Sequence, residues 1–310
     1  MELIFIEDVY KKYNLPESFA TIGMFDGVHL GHKKLINELI CSSKNEKKSS
    51  MLITFREHPD YVLNKRNNNG YLTEFDEKIK LLESEDIDYV VVFTFSDSFS
   101  KISHEDFEDI LIDNLNIKKM IVGSDTKYGA YGKGNINTLK EKMDVDVIED
   151  YIDEGEVVHS KSIRKLFEVG LVEKANRYLG RTFSIIGTVV KGSKIGRTYN
   201  IKTANIELNG KYSFLKKGVY GVKVIIDGKK YLGIANIGNN PSFNYVEEKR
   251  LEVNIFDFSS DIYNNKIEVE FYTFVREEKV FSGKEELYNQ IKEDVEIVKE
   301  RIGEIIWKLQ

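Results

Sequence analysis

Histidine is scarce in this chain, five in 310 residues. Two of the five, His29 and His32, stand three apart in the stretch GMFDGVHLGH, residues 23–32, interleaved with Gly23, Gly27 and Gly31. Glycines let a backbone approach a ligand closely, and a helix N-terminus offers free N–H groups. A strand ending at about Gly23, a glycine-rich turn and a helix opening near Gly31 would together make a phosphate site. Both imidazoles face that site if the first helical turn begins at His29. There they would donate hydrogen bonds to phosphate oxygens as negative charge builds in a transition state, with no covalent intermediate. The competing readings are capping or surface histidines, or a zinc pair. A zinc site usually takes further ligands, and the single cysteine, Cys41, is poorly placed to be one.

A second concentration of such residue types is VVKGSKIGRTYNIKTANI, residues 189–206. Gly192, Lys194, Gly196 and Arg197 suit a polyphosphate, through backbone access and charge-assisted donors. The plainer alternative is a hairpin with a solvated basic turn. The Thr203 hydroxyl and the Asn205 carboxamide oxygen are hard ligands suited to Mg²⁺. Glu252 lies in RLEVNIFDF, residues 250–258, where strand alternation puts Leu251, Val253 and Ile255 on one face and Glu252, Asn254 and Phe256 on the other. Without further context it reads as a solvated strand acid.

These groups need a frame. Strands are expected at 18–23, 50–55, 88–95 and 118–125. Helices are expected at 32–47, at 73–84 with Thr73 as N-cap, and at 103–115 with Ser103 as N-cap. Strand and helix in alternation form a parallel α/β sheet, and ligands sit beyond the carboxyl ends of its strands. Residues 160–181 read as two short helices. From 183 onward strands follow one another directly, with Asp227-Gly228 as a hairpin signal, so an antiparallel barrel or sandwich is expected, closed by a helix over 283–309. The change in texture at 182–184 divides the chain into domains 1–182 and 183–310.

Composition sets outer limits. Hydrophobic residues make up 41% and charged residues 31%, enough apolar surface for packed cores. A net charge of −6 and a pI near 5.6 give no electrostatic argument for a nucleic-acid or anionic-membrane partner. One cysteine forms no internal disulfide and fits a reducing compartment; its helical surroundings place Cys41 in the core. The opening MELIFIEDVYKKYNLPESF has no long apolar run, so neither a signal peptide nor an anchor is expected, and the protein is expected in the cytoplasm. Oligomeric state is not legible.

GMFDGVHLGH resembles the adenylyltransferase signature of the prokaryotic bifunctional riboflavin kinase/FAD synthetase family, within the HxGH nucleotidyltransferases. TFREHP (54–59) resembles that family's F-x-P-H-P loop, VGSDTKYGAYGKGN (122–135) its V-G-x-D-F-x-F-G segment, and HSKSIRKLF (159–167) its S-S-T-x-I-R helix start. Residues 187–206 resemble the kinase signature ending in P-T-A-N. GVYGVKV, GIANIGNNPSF, LEVNIFDF and FSGKEELYNQIKEDVEIVKE continue in the family's order, so the resemblance covers essentially the whole chain.

What the resemblance implies is specific. The fold would be a Rossmann-like nucleotidyltransferase domain followed by an antiparallel β-barrel kinase domain with a terminal helix. Riboflavin would be phosphorylated by ATP to FMN, and FMN adenylylated by ATP to FAD and pyrophosphate, both with Mg²⁺. His29 and His32 would act in the second reaction, with substrate or nucleotide contacts at Gly23, Phe25, Asp26, Gly31, His58, Asp125, Ser160, Ser162 and Arg164. In the kinase, Gly192, Lys194, Gly196 and Arg197 would bind the nucleotide, and Thr203 and Asn205 the nucleotide and the metal. Glu252 would be the base that accepts the proton of the riboflavin 5′-hydroxyl. The chain departs from the family at Lys202, which replaces the P-T-A-N proline, and at Glu57, Lys161, Thr126 and Tyr128. Lys202 favours an alternative, an FMN adenylyltransferase with a vestigial kinase module. A flavin-binding regulator without catalysis is a further alternative, against which the intact His29, His32, Thr203, Asn205 and Glu252 speak.

Overall fold

The run YVVVF is apolar at every position, as a strand must be when helices cover both faces of its sheet. It forms β4 (Tyr89–Phe93) of a six-stranded sheet. The computed structural model describes residues 1–57, 62, 70–190, 203–208, 211–239 and 249–308. His58, Gly192, Lys194, Gly196, Arg197, Lys202 and Pro241 lie outside the described residues. Packing divides the chain into two units, the first reaching to Ser160 and the second starting at Lys161 and taking in Gly70.

The first unit holds β1 (Glu2–Ile6), β2 (Ser18–Ile22), β3 (Ser49–Phe55), β4, β5 (Ile117–Gly123) and β6 (Asp144–Ile148), all parallel in the order β1-β4-β3-β2-β5-β6. Its helices are α1 (Leu30–Asn45), α2 (Phe75–Glu83), α3 (His104–Asp109), which runs into a π-turn at Ile110–Asn114, and α4 (Ile136–Lys142). Successive residues of β4 serve different cores: Val91 and Phe93 pack with Met51, Ile53 and Phe107, while Val90 and Val92 pack with Leu52, Ile36 and Leu82. From β2 the sheet grows through β3 on one side and through β5 on the other. That reversal opens a crevice beyond the carboxyl ends of β2 and β5, where Gly23 and Asp125 follow their strands.

The strands at both sheet edges, β1 and β6, and the short helix α4 carried no sequence signal strong enough to assign. Two local expectations are corrected. Cys41 is exposed, not in the core; α1 buries Ile36, Leu39, Ile40 and Ser43, and position 41 falls off that stripe. Thr73 does not cap α2, whose N-cap is Glu74; its hydroxyl is used elsewhere, as described below. Ser103 does cap α3, accepting from the Asp106 N–H at 3.0 Å.

The second unit begins with α5 (Ser160–Val169), continuous with it from Lys161, and α6 (Val172–Leu179), closed by Gly180 in the left-handed conformation at φ 67°. Then come β7 (Phe183–Val190), β8 (Thr203–Glu207), β9 (Gly218–Ile226), β10 (Lys229–Asn239), β11 (Lys249–Ile255) and β12 (Lys266–Arg276). They close into an antiparallel barrel in the order β7-β8-β11-β10-β9-β12. Of the barrel and the sandwich, the barrel forms, and closure leaves no free sheet edge. Asp227 (φ 48°) and Gly228 (φ 76°) make the two-residue turn between β9 and β10. The terminal helix α7 (Lys284–Lys308) packs Val298 and Ile302 with Tyr272, and its buried Asp294 takes a bidentate pair from Arg276 at 2.8–3.1 Å. The packing line at 160/161 falls well ahead of the change in sequence texture at 182–184. The reason is that Phe167 of α5 packs in tilted contact against Phe183, with ring centroids 4.7 Å apart, and Phe214, 5.6 Å apart, and Asn176 of α6 donates to the Phe271 carbonyl.

Candidate functional site

The turn after β2 is held in an unfavourable backbone conformation. Phe25 (φ 50°), Gly27 (φ 85°) and Val28 (φ 37°) all lie in the left-handed region, which a β-branched residue such as Val28 seldom enters. Such strain persists only where surroundings over-determine it, and here two segments, at 72–73 and at Ser160, clamp the turn through hydrogen bonds. The Asp26 carboxylate accepts from the N–H groups of Leu72 (2.9 Å) and Thr73 (3.2 Å). The Gly27 N–H donates to the Thr73 hydroxyl at 3.1 Å, and the Ser160 hydroxyl donates to the Asp26 carbonyl at 2.7 Å. Phe25 and Val28 are buried with Ile36 and Leu52. Phe25 and Asp26 are thus turned into the protein, where they hold the loop.

The result is a fixed pair of imidazoles at a helix start. His29 is the N-cap of α1, and its Nδ1 accepts from the His32 N–H at 3.3 Å. In the neutral ring that bond leaves the proton on Nε2, as a donor. The His29 and His32 rings stack with centroids 3.6 Å apart at 18°, and His32 leans on Phe25 at 5.1 Å. Gly31 is required by space: a Cβ there would meet the Val158 carbonyl at 2.9 Å and the His29 ring at 3.1 Å. Its smallness serves the packing of chain against chain as well as any approach of a ligand.

Gly23, Phe25, Asp26, His29, Gly31, His32 and Ser160 are therefore brought together, and Asp125 stands exposed at the end of the neighbouring strand β5. Ser162 and Arg164 belong to the second unit, where the Arg164 Nε donates to the Gly70 carbonyl at 3.2 Å. Tyr128 is buried: its hydroxyl bonds Glu108 and Thr138, and burial pushes its pKa up. Two contributors were missed by sequence reasoning. One is Thr73. The other is Lys78, whose ammonium donates to the Met24 carbonyl, the Thr54 hydroxyl and the Phe55 carbonyl. A signal was present: Phe75, Lys78, Ile79 and Leu82 follow the i, i+3, i+4, i+7 template of a buried helix face, with a lysine in an apolar slot. A pocket of about 240 Å³ opens there, lined by Met24, Asp26, Arg56, Glu57 and Lys78 among others.

On the barrel, strand register assembles a second group. Asn205 of β8 lies opposite Glu252 of β11, which lies opposite Asn236 of β10, so the three share one row. Thr203 is two residues from Asn205 on the same face, opposite Asn254. Leu251 and Val253 fill the interior, so this row faces outward. Glu252 takes a hydrogen bond from the Arg250 guanidinium at 3.3 Å. Asn205 is buried, and among the described residues its Oδ1 has no hydrogen-bond partner. A buried carbonyl oxygen left unpaired is costly, and together with the Thr203 hydroxyl it forms a hard donor set that fits Mg²⁺.

Comparison with known proteins assigns a family to each part of the chain. Residues 11–162 match the family described as FAD synthetase, and residues 179–302 the family described as riboflavin kinase. A bifunctional riboflavin kinase/FMN adenylyltransferase of Buchnera aphidicola subsp. Schizaphis graminum is 42% identical over 298 residues, 93% of this chain and 95% of that protein. The protein of the same description from Bacillus subtilis is 35% identical over 285 residues, 90% of each chain. A crystal structure from Streptococcus pneumoniae, described as a macrolide-efflux protein, superposes with a TM-score of 0.87 at 29% identity, covering 96% of this chain and 99% of that one. Among the described residues here, no helix is long and apolar enough to cross a membrane.

Proposed function

The chain belongs to the bifunctional riboflavin kinase/FMN adenylyltransferase family, making FMN from riboflavin and FAD from FMN with ATP, and we propose that the two reactions occupy the two residue groups described above. Adenylyl transfer is assigned to the loop 23–32 and phosphoryl transfer to the row around Glu252. The functional boundary is placed at 182–183, giving modules 1–182 and 183–310. A cytoplasmic location is part of the same reading.

In the first reaction an FMN phosphate oxygen attacks the α-phosphorus of ATP and pyrophosphate leaves. Charge grows on the phosphoryl oxygens at the transition state. The stacked His29 and His32 at the start of α1 support this assignment best: the bond to the His32 N–H fixes the His29 ring with Nε2–H as donor. Donors fixed before the reaction need no reorganisation as charge develops. The N-terminal N–H groups of α1 add to the same field. Gly23 and Asp125 flank the crevice where the nucleotide is proposed to sit.

In the second, the riboflavin 5′-hydroxyl attacks the γ-phosphorus of ATP. Glu252 is the proposed acceptor of the hydroxyl proton, held by Arg250 and set in register with Asn205. Thr203 and Asn205 are the proposed holders of Mg²⁺, the supporting observation being that the Asn205 Oδ1 has no hydrogen-bond partner among the described residues. The metal would neutralise phosphate charge at that face. Gly192, Lys194, Gly196 and Arg197 are proposed to bind the nucleotide. Supplying riboflavin, ATP and Mg²⁺, and separately FMN, ATP and Mg²⁺, tests the reading: FMN and FAD are expected from the first mixture, FAD from the second.

A further inference from the structure

We propose that Lys78 is a positioning residue for adenylyl transfer, its ammonium fixing the nucleotide loop to the end of β3. The proposal rests on the assignment of that reaction to the loop 23–32. An ammonium has three N–H donors and no acceptor. At Lys78 the three are matched by three oxygens: the Phe55 carbonyl at 2.9 Å, the Thr54 hydroxyl at 3.0 Å and the Met24 carbonyl at 3.1 Å. Met24 immediately precedes Phe25, the first residue of the strained turn, and Thr54 and Phe55 end β3, the strand beside β2. The cation therefore ties the turn to the sheet at the point where the turn leaves it. The side chain is 4% exposed and its three donors are committed, so it is placed to hold the loop and not to carry charge to a substrate.

A bare alkyl chain here would leave two carbonyls and a hydroxyl facing an apolar group, and the strained turn would lose one of its clamps. A neutral amine would do part of the same damage, because it offers two donors and a lone pair to three oxygens. Burial pushes the Lys78 ammonium down to about 8, opposed by the Asp26 and Glu57 carboxylates. Among the described residues, the charged groups near it come from three places. From the loop comes Asp26, committed to the Leu72 and Thr73 N–H groups; beyond β3 come Glu57, which accepts from the Phe95 N–H, and Arg56, which lies over the Phe75 ring; and from its own helix start comes Glu74. Proton loss from Lys78 is then expected to loosen the loop in an accessible pH range. The sign is fixed: the loop is held below the pKa and released above it.

The test uses the full-length enzyme, with FAD formation from FMN and FMN formation from riboflavin measured on the same samples across pH 7 to about 9.5. In the wild type, adenylyl transfer is expected to fall as pH rises through about 8, while riboflavin phosphorylation does not share that limb. Lys78→Arg, which stays protonated throughout, should shift the limb out of the range. Lys78→Met should lower kcat/KM for adenylyl transfer by about 100-fold at every pH, the scale of a misplaced reacting geometry, with no limb, while FMN formation stays within about twofold. The wild-type profile needs no variant, so a folding defect in Lys78→Met leaves the proposal open to refutation. A flat wild-type profile, an alkaline limb common to wild type and Lys78→Arg, or a folded Lys78→Met with full kcat/KM each overturns it. His32→Ala run in parallel separates the two ideas: if it keeps full FAD synthesis, the loop assignment itself fails, whereas loss in His32→Ala with no effect at Lys78 defeats only the present inference.

Discussion

At the residue scale, Glu252 shows how little a side chain's identity says without its register. In sequence it is one of 51 acidic residues on a chain of ordinary charge. In the barrel it stands between Asn205 and Asn236, with Arg250 on its carboxylate. Glu252→Gln keeps the shape and the hydrogen-bonding capacity but cannot take a proton. It is expected to lower kcat for riboflavin phosphorylation by 10²–10⁴-fold, the usual worth of a general base, with riboflavin and ATP KM values within a few-fold. Steady-state kinetics measure this. An unchanged kcat would return Glu252 to the role of a solvated strand acid. The two histidines were legible because a rare residue type recurred at helical spacing among glycines. Lys78 was hidden because a lysine in an otherwise apolar stripe reads as a solvated charge until three oxygens are seen around it.

At the scale of elements, the start of α1 decides the geometry of the first site. Gly31 is the sensitive position. In an unhindered helix, Ala in place of Gly stabilises by about 1 kcal/mol. Here the added Cβ would lie 2.9 Å from the Val158 carbonyl, which is backbone and cannot yield cheaply. Gly31→Ala is therefore expected to lower the melting temperature of the unit that carries it and to reduce FAD synthesis at least tenfold, leaving FMN synthesis within twofold. A raised melting temperature with full activity would show that the contact relaxes. The major elements were readable because each pairs a strong periodicity with a punctuation residue, as β4 does with its unbroken apolar run and β9 and β10 do with Asp227-Gly228. The edge strands β1 and β6 were not, since an edge strand need bury only part of its surface. Phe5 and Val147, large and apolar yet exposed, show the consequence. Thr73 looked like a cap because sequence cannot distinguish a hydroxyl serving its own helix from one serving a loop 46 residues away.

For the whole molecule, the change from α/β alternation to consecutive strands revealed that there are two kinds of architecture. Where packing divides them was not legible, because α5 and α6 look like a continuation of the α/β pattern. Their buried residues Phe167, Ala175, Tyr178 and Leu179 lie in the barrel's unit. Each large apolar side chain buried there contributes about 1.5–3 kcal/mol. A fragment of residues 161–310 is accordingly expected to fold cooperatively, whereas residues 184–310 alone should be much less stable or insoluble. Urea unfolding of the two fragments decides this, and equal stability would show that the helices add nothing to the barrel.

The central claim is that one chain carries two catalysts that do not share their groups. It is tested most directly by mixing two variants, His32→Ala and Glu252→Gln, each inactive in one step. With riboflavin, ATP and Mg²⁺, His32→Ala alone should accumulate FMN and make no FAD. Glu252→Gln alone should make neither, yet should convert supplied FMN to FAD at nearly the wild-type rate. Combined, the two should restore FAD formation from riboflavin, with FMN passing through solution from one variant to the other. If either substitution abolishes both reactions in a folded protein, or if the mixture makes no FAD, the assignment of separate sites to the loop 23–32 and the Glu252 row is wrong.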